Sequence, residues 1–274
     1  MIILVPTDFS ALSKVAVMYA RQLAQQLNAE IKLLHVVSND APAKTMVAFK
    51  EEKLLSAMAD NAGNDMEQMI MEIQSEARNE TKITSEIVKG YPFEDVVSDF
   101  AINNHVDLIV IGTKGASGIQ QVLIGSNAVG LISESKVPVI VVPELATFKT
   151  VSNIVYATDM LSIGEEMKQL IPFAKVFDAT IHILHIIPPY TEKDIYKSQI
   201  KKDFIAKCNY NRITAHVSLN ENLTQGIDEY ILETKADMLA MFTHELSFFE
   251  KLFGKSITRK MAFHTSVPLL TIKK

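Results

Sequence analysis

The segment Gly112–Val129, GTKGASGIQQVLIGSNAV, holds the residues best suited to chemistry. Gly112 and Gly115 close an apolar run, and Gly125 follows ten residues later with Ser126 and Asn127 directly behind it. Glycine has no Cβ, so it admits positive φ and lets a ligand approach backbone N–H groups. Gly125-Ser126-Asn127 opens an apolar-spaced stretch, AVGLISES. A helix start there offers unpaired N–H groups and the positive end of the helix dipole, which together suit a phosphate. The same spacing also serves a plain strand-to-helix turn, because Gly-Ser starts many helices without a ligand. Spacing alone leaves both readings open. No Gly-x4-Gly-Lys-Ser/Thr loop is present. A Gly-x-Gly-x-x-Gly dinucleotide turn is missing too, and it would follow the first strand.

The elements that must position this stretch are legible around it. IILVPT (2–7), EIKLLHVV (30–37), ITSEIVKG (83–90), DLIVIGT (107–113) and VPVIVVP (137–143) read as strands. Helical spacing separates them, as in KVAVMYARQLAQQL (14–27), which is the pattern of a parallel α/β sheet. Unbroken runs such as LIVI and VIVV predict burial on both faces. A longer helical region, 43–79, carries Met46, Met58, Met66, Met69 and Met71 among charged residues. Flexible thioethers suit core or interface packing, with a ligand-contacting lid as the alternative. Gly90-Tyr91-Pro92 reads as a turn with proline near a helix start.

The order then repeats. VPTDFS (5–10) is echoed by YATDML (156–161), AEIKLLHVV (29–37) by ATIHILHII (179–187), VDLIVIGTKG (106–115) by ADMLAMFTHE (236–245), and KVPVIVV (136–142) by SVPLLTI (266–272). We therefore expect two tandem domains, 1–146 and 147–274, each a five-stranded, mainly parallel sheet flanked by helices. The second copy is shorter between its second and third strands, where TEKDIYKSQIKKDFIAK (191–207) presents a lysine-rich face.

Gly112-x2-Gly115-x9-Gly125-Ser126, with VPTDFS, LLHVV, DLIVIGTKG and KVPVIVV around it, resembles the universal stress protein family. The likeness covers nearly the whole chain, as a tandem universal stress protein. It implies a Rossmann-like, adenine nucleotide alpha hydrolase-like fold. It also implies a site for ATP or another adenine nucleotide, with Mg2+ as an optional companion. By the resemblance, Pro6, Thr7 and Asp8 end the first strand beside the adenosine, and Val36 lies against adenine. Gly112, Gly115, Gly125, Ser126 and Asn127 surround ribose and phosphates. A carboxylate such as Asp8 accepts hydrogen bonds from ribose hydroxyls or the adenine amino group. Its competing role is to cap the following helix, for which Ser10 is the rival. Lys114 is either a phosphate contact or an exposed loop lysine.

The second copy departs from the signature. Phe242 replaces Gly112 and Glu245 replaces Gly115, while Gly254, Lys255 and Ser256 follow at a shorter interval. Nucleotide is therefore expected in the N-terminal domain only, with a scaffold or dimerisation role for the other. The two glycine-free positions also suggest that the connection turns without them, which favours a ligand role for Gly112 and Gly115.

Composition excludes several alternatives. Of 274 residues, 48% are hydrophobic and 22% charged, with a net charge of −5, so a nucleic-acid partner has no basic field to meet. Nothing approaches a membrane span, the N-terminus reads as a strand and not a signal peptide, and a cytoplasmic protein is the economical expectation. The single cysteine, Cys208, excludes an internal disulfide. His182 and His185 point to opposite faces of one strand, His35 and His185 suit buried hydrogen-bonded roles, and His216, His244 and His264 show no local metal pattern. No catalytic set or metal site is evident. The expected function is an ATP-binding stress-response regulator read by a protein partner. The alternatives are a ligand-free scaffold and a slow ATPase. In the resembling family the last strands pair across a dimer, so an intrachain pseudo-dimer or a homodimer is expected.

Overall fold

The computed structural model describes residues 1–38, 48–75, 81–113, 125–189, 209–243 and 266–273. The described residues divide into two compact units between Glu144 and Leu145.

The first unit runs β1 (Ile2–Pro6), α1 (Ala11–Leu27), β2 (Glu30–Val37), α2 (Ala48–Ser75), β3 (Ile83–Lys89), α3 (Phe93–Asn103), β4 (Leu108–Gly112), α4 (Ser126–Glu134) and β5 (Val139–Val142). Its strands lie in the order β3-β2-β1-β4-β5 with parallel pairing throughout. The crossovers through α1 and α2 step one way from β1, and those through α3 and α4 step the other way. Right-handed connections then put the two helix pairs on opposite faces. This doubly covered sheet explains why Ile3, Leu4, Val5, Leu108, Ile109 and Val110 are all buried.

Helix α1 begins at Ala11 because Ser10 caps it, its hydroxyl accepting from Ser13 N–H at 3.2 Å. The helix buries Ala16, Val17, Ala20 and Leu23 at helical spacing against the sheet. Helix α2 is held at its C-terminal part by Arg21, whose guanidinium donates to the Ile73 carbonyl at 2.9 Å. Of its methionines, Met66 and Met69 are buried while Met58 and Met71 are exposed. Met46 and the lysine-rich 191–207 lie outside the described residues.

The second unit runs β6 (Asn153–Ala157), α5 (Ile163–Phe177), β7 (Thr180–Ile187), β8 (Ile213–Leu219), α6 (Leu223–Thr234), β9 (Met238–Thr243) and β10 (Leu269–Lys273). Its order, β8-β7-β6-β9-β10, and its parallel pairings repeat the first unit's arrangement.

The repetition reaches fine detail at the helix ends. After α1, α3, α5 and α6 the chain turns through a left-handed residue, at Asn28, His105, Asp178 and Lys235. In each case the next residue is a buried Ala or Val whose N–H bonds back to a carbonyl of the last helical turn. That pattern is the Schellman ending, here made four times without glycine.

Candidate functional site

In a doubly wound sheet the ligand edge lies beyond the carboxyl ends of the strands, where the strand order reverses. In the first unit that point falls between β1 and β4. Ile3 pairs with Leu108 and Leu4 with Ile109, and continuing the register sets Thr7 beside Gly112. Pro6, Thr7, Asp8 and Gly112 are thus neighbours at one edge. Val36, near the end of β2, lies one strand further along that same edge.

The turn after β1 is heavily determined. Phe9 adopts a left-handed φ of 63°, uncommon for a bulky residue. Its N–H donates to Thr7 Oγ1 at 3.1 Å, and Ser10 N–H donates to Asp8 Oδ1 at 3.0 Å. Thr7 Oγ1–H has Ser13 Oγ at 3.0 Å and Met69 Sδ at 3.6 Å as acceptors. The Thr7 side chain is therefore buried and spent on the turn. Ser10, not Asp8, is the helix cap. Burial raises the Asp8 carboxyl, but hydrogen bonds from Ser10 and Ser13 outweigh it and hold the group below its ordinary value. It is an exposed anionic acceptor at neutral pH.

Gly112 has a packing reason of its own. A Cβ added there would meet the Leu12 carbonyl oxygen at 2.9 Å and Ala16 Cβ at 3.7 Å. Glycine lets the first turn of α1 press onto the end of β4. This corrects the expectation that the connection does not need Gly112: in this unit the helix approach demands it, ligand or not. Beside it, Thr113 Oγ1 is buried and has no hydrogen-bond partner among the described residues. The equivalent Thr243 Oγ1 shares that condition, so the orphaned hydroxyl belongs to the repeated fold.

Gly125 is the N-cap of α4 and supplies no side-chain bond to it. Ser126 and Asn127 open the helix and are exposed. Gly125 thus offers no side chain to the first-turn N–H groups, a donor set that fits phosphate. Lys114 and Gly115 lie outside the described residues. So do Glu245, Gly254, Lys255 and Ser256 of the second copy, and His244 and His264.

Two further side chains complete the turn. His35 donates from Nδ1–H to the Thr7 carbonyl at 2.8 Å, and its ring stacks on Phe9 with centroids 4.6 Å apart. The sequence marks His35 as a hydrogen-bonded histidine, but nothing marks Phe9 as its stacking partner.

The second unit keeps the turn and rebuilds its surroundings. Met160 takes the left-handed φ at 73°, its N–H donates to Thr158 Oγ1, and Leu161 N–H donates to Asp159 Oδ1. His185 Nδ1–H donates to the Thr158 carbonyl at 2.8 Å. Beneath the turn, however, Phe242 packs edge-on to Tyr156 with centroids 5.7 Å apart. The Tyr156 hydroxyl donates to the buried Glu166 carboxylate. The helix start also differs: the N-cap of α5 is Ser162, which makes no side-chain cap bond.

The comparisons with known proteins agree with this architecture. Residues 1–143 match the Universal stress protein family. The chain belongs to the universal stress protein family. A universal stress protein of Methanocaldococcus jannaschii is 31% identical over 140 residues, covering 51% of this chain and 80% of that protein. A second universal stress protein of that organism is 29% identical over 154 residues, covering 51% of this chain and 93% of that protein. Both halves of this universal stress protein find a counterpart in the crystal structure of a universal stress protein from Archaeoglobus fulgidus. The TM-score is 0.72 at 17% identity, covering 99% of this chain and 98% of that one, a likeness of fold. Among the described residues of this universal stress protein, no helix is long and apolar enough to cross a membrane. Nor does any group of three His, Cys, Asp or Glu among them suit a metal ion.

Proposed function

We propose that the N-terminal domain expected from the sequence, 1–146 with its intact glycine signature, binds ATP or another adenine nucleotide, with or without Mg2+. The second unit, 147–274, is a universal stress protein domain that has given up the site. The observation that carries this reading is the switch-point edge, where Asp8 directly follows β1 and α4, whose N-cap Gly125 supplies no side-chain bond, joins the neighbouring β4 to β5. Asp8 supplies an acceptor for ribose or adenine, Val36 an apolar contact, and Gly115, Gly125, Ser126 and Asn127 the phosphate side. In the second unit Phe242 occupies the position of Gly112, which supports binding in the first unit only. The output is a conformational state read by a protein partner in a cytoplasmic stress response, with hydrolysis slow or absent.

A ligand-free scaffold is the second reading, favoured by the packing explanation for Gly112. Calorimetric titration of ATP separates the two, together with chromatography of small molecules released on denaturation. We expect one nucleotide per chain for the wild type and none for Gly115→Glu. A wild type that releases no nucleotide and binds no ATP leaves the scaffold reading standing.

A further inference from the structure

We infer that His35 is a positioning residue of the candidate nucleotide site. It acts through the Thr7 carbonyl and the Phe9 ring to hold Asp8 at the ligand edge. This rests on the nucleotide reading above. The argument starts from the strain in the turn. Phe9 carries a left-handed backbone that a bulky side chain disfavours, and such a residue persists only where its surroundings over-determine it. Hydrogen bonds inside the turn fix it locally: Phe9 N–H to Thr7 Oγ1, Ser10 N–H to Asp8 Oδ1, and Ser13 N–H to Ser10 Oγ. None of these ties the turn to the neighbouring strand.

Two bonds make that tie. Thr7 N–H donates to the Leu34 carbonyl at 2.8 Å, as a parallel ladder would continue. The Thr7 carbonyl then receives the His35 Nδ1–H, also at 2.8 Å. A carbonyl only accepts, so Nδ1 carries the proton and the tautomer is fixed. The same ring lies against Phe9, 29° from parallel. One imidazole therefore grips both residues that flank Asp8, one by hydrogen bond and the other by stacking. Without it the turn would pivot about the end of β1 and carry the carboxylate with it.

The second unit provides the internal comparison. His185 makes the same bond to Thr158, but its turn carries Met160, which packs against Ile187 and Val217. The hydrogen bond is thus common to the fold, and the stack on the residue after the aspartate is particular to the unit with the intact signature.

The test uses the full chain, with ATP as the probe and thermal denaturation beside each titration. His35→Phe keeps a ring for Phe9 but leaves the Thr7 carbonyl without its donor, and we expect ATP affinity to fall about tenfold. His35→Asn returns an amide N–H near the Nδ1 position but no ring for Phe9, and should restore only part of that loss. His185→Leu deletes the equivalent bond in the second unit; it should lower stability and leave ATP affinity unchanged. Equal affinities for His35→Phe and wild type, or equal losses in His35→Phe and His185→Leu, would overturn the inference while leaving nucleotide binding intact. An unfolded His35→Phe leaves the decision to His35→Asn, which lacks the stack and should bind ATP more weakly than wild type; equal affinity would then overturn the inference. A wild type that binds no ATP removes the nucleotide reading and this inference together.

Discussion

At the scale of single residues, position 112 and its counterpart 242 show how one site of the fold accepts opposite solutions. Gly112 lets a backbone carbonyl come within 2.9 Å of where a Cβ would stand. A backbone oxygen cannot step aside cheaply, so Gly112→Ala should cost about 1–3 kcal/mol by overpacking. Phe242 is 3% exposed and packs on Tyr156, so Phe242→Ala should cost about 3–5 kcal/mol by opening a cavity. Denaturant melts of both variants check the pair; a neutral Gly112→Ala would mean that α1 does not press onto β4 as described. The sequence exposes both residues as a departure between copies. It does not expose the reason, because the contact is made by the carbonyl of Leu12, whose identity is immaterial to it.

At the scale of elements, the covering of the sheet by α3 in one unit and α6 in the other uses different chemistry at matching places. In the first unit Lys32, on β2, donates to Glu86 at 3.0 Å and Asn104 at 3.1 Å, and lies over the Phe100 ring. In the second unit His182 stands in that position, with Thr214 Oγ1 at 2.8 Å and Asn153 Oδ1 at 3.1 Å. His216 stacks on Tyr230, and Tyr230 meets His182 edge-on. Glu233 acts on Tyr230, and Asp237 receives the N–H groups of Ser152 and Asn153. Burial lowers the His182 pKa below its ordinary value. The folded unit then binds fewer protons than the unfolded chain as pH falls through about 6.5, and stability declines with acid in that window. His182→Gln should flatten the dependence between pH 7.5 and 5.5, measured by urea unfolding, whereas an unchanged slope would assign it elsewhere. Strands, their order of occurrence and the duplication were all readable from apolar runs and their echoes. The order in space is a matter of crossover handedness, and the start of α1 at Ala11 turned on Ser10 capping, a choice that the sequence left between Ser10 and Asp8.

At the scale of the whole molecule, each unit by itself sends its strand-to-helix turns to one edge of its parallel sheet and its two left-handed helix-to-strand endings to the other. Those endings hold Asn28, His105, Asp178 and Lys235 in a backbone conformation that only glycine adopts freely. Asn and Asp tolerate it best, so His105 and Lys235 bear the larger penalty. Replacing these two by glycine should raise stability by about 1 kcal/mol each, seen as a higher midpoint in thermal unfolding, with ATP affinity unaltered. A drop in the midpoint would show that the side chains contribute more than the strain they impose. The chain therefore keeps a reserve of rigidity that can be drawn on without touching the edge where binding is proposed. A hardened variant of this protein can be made from its least eventful corners.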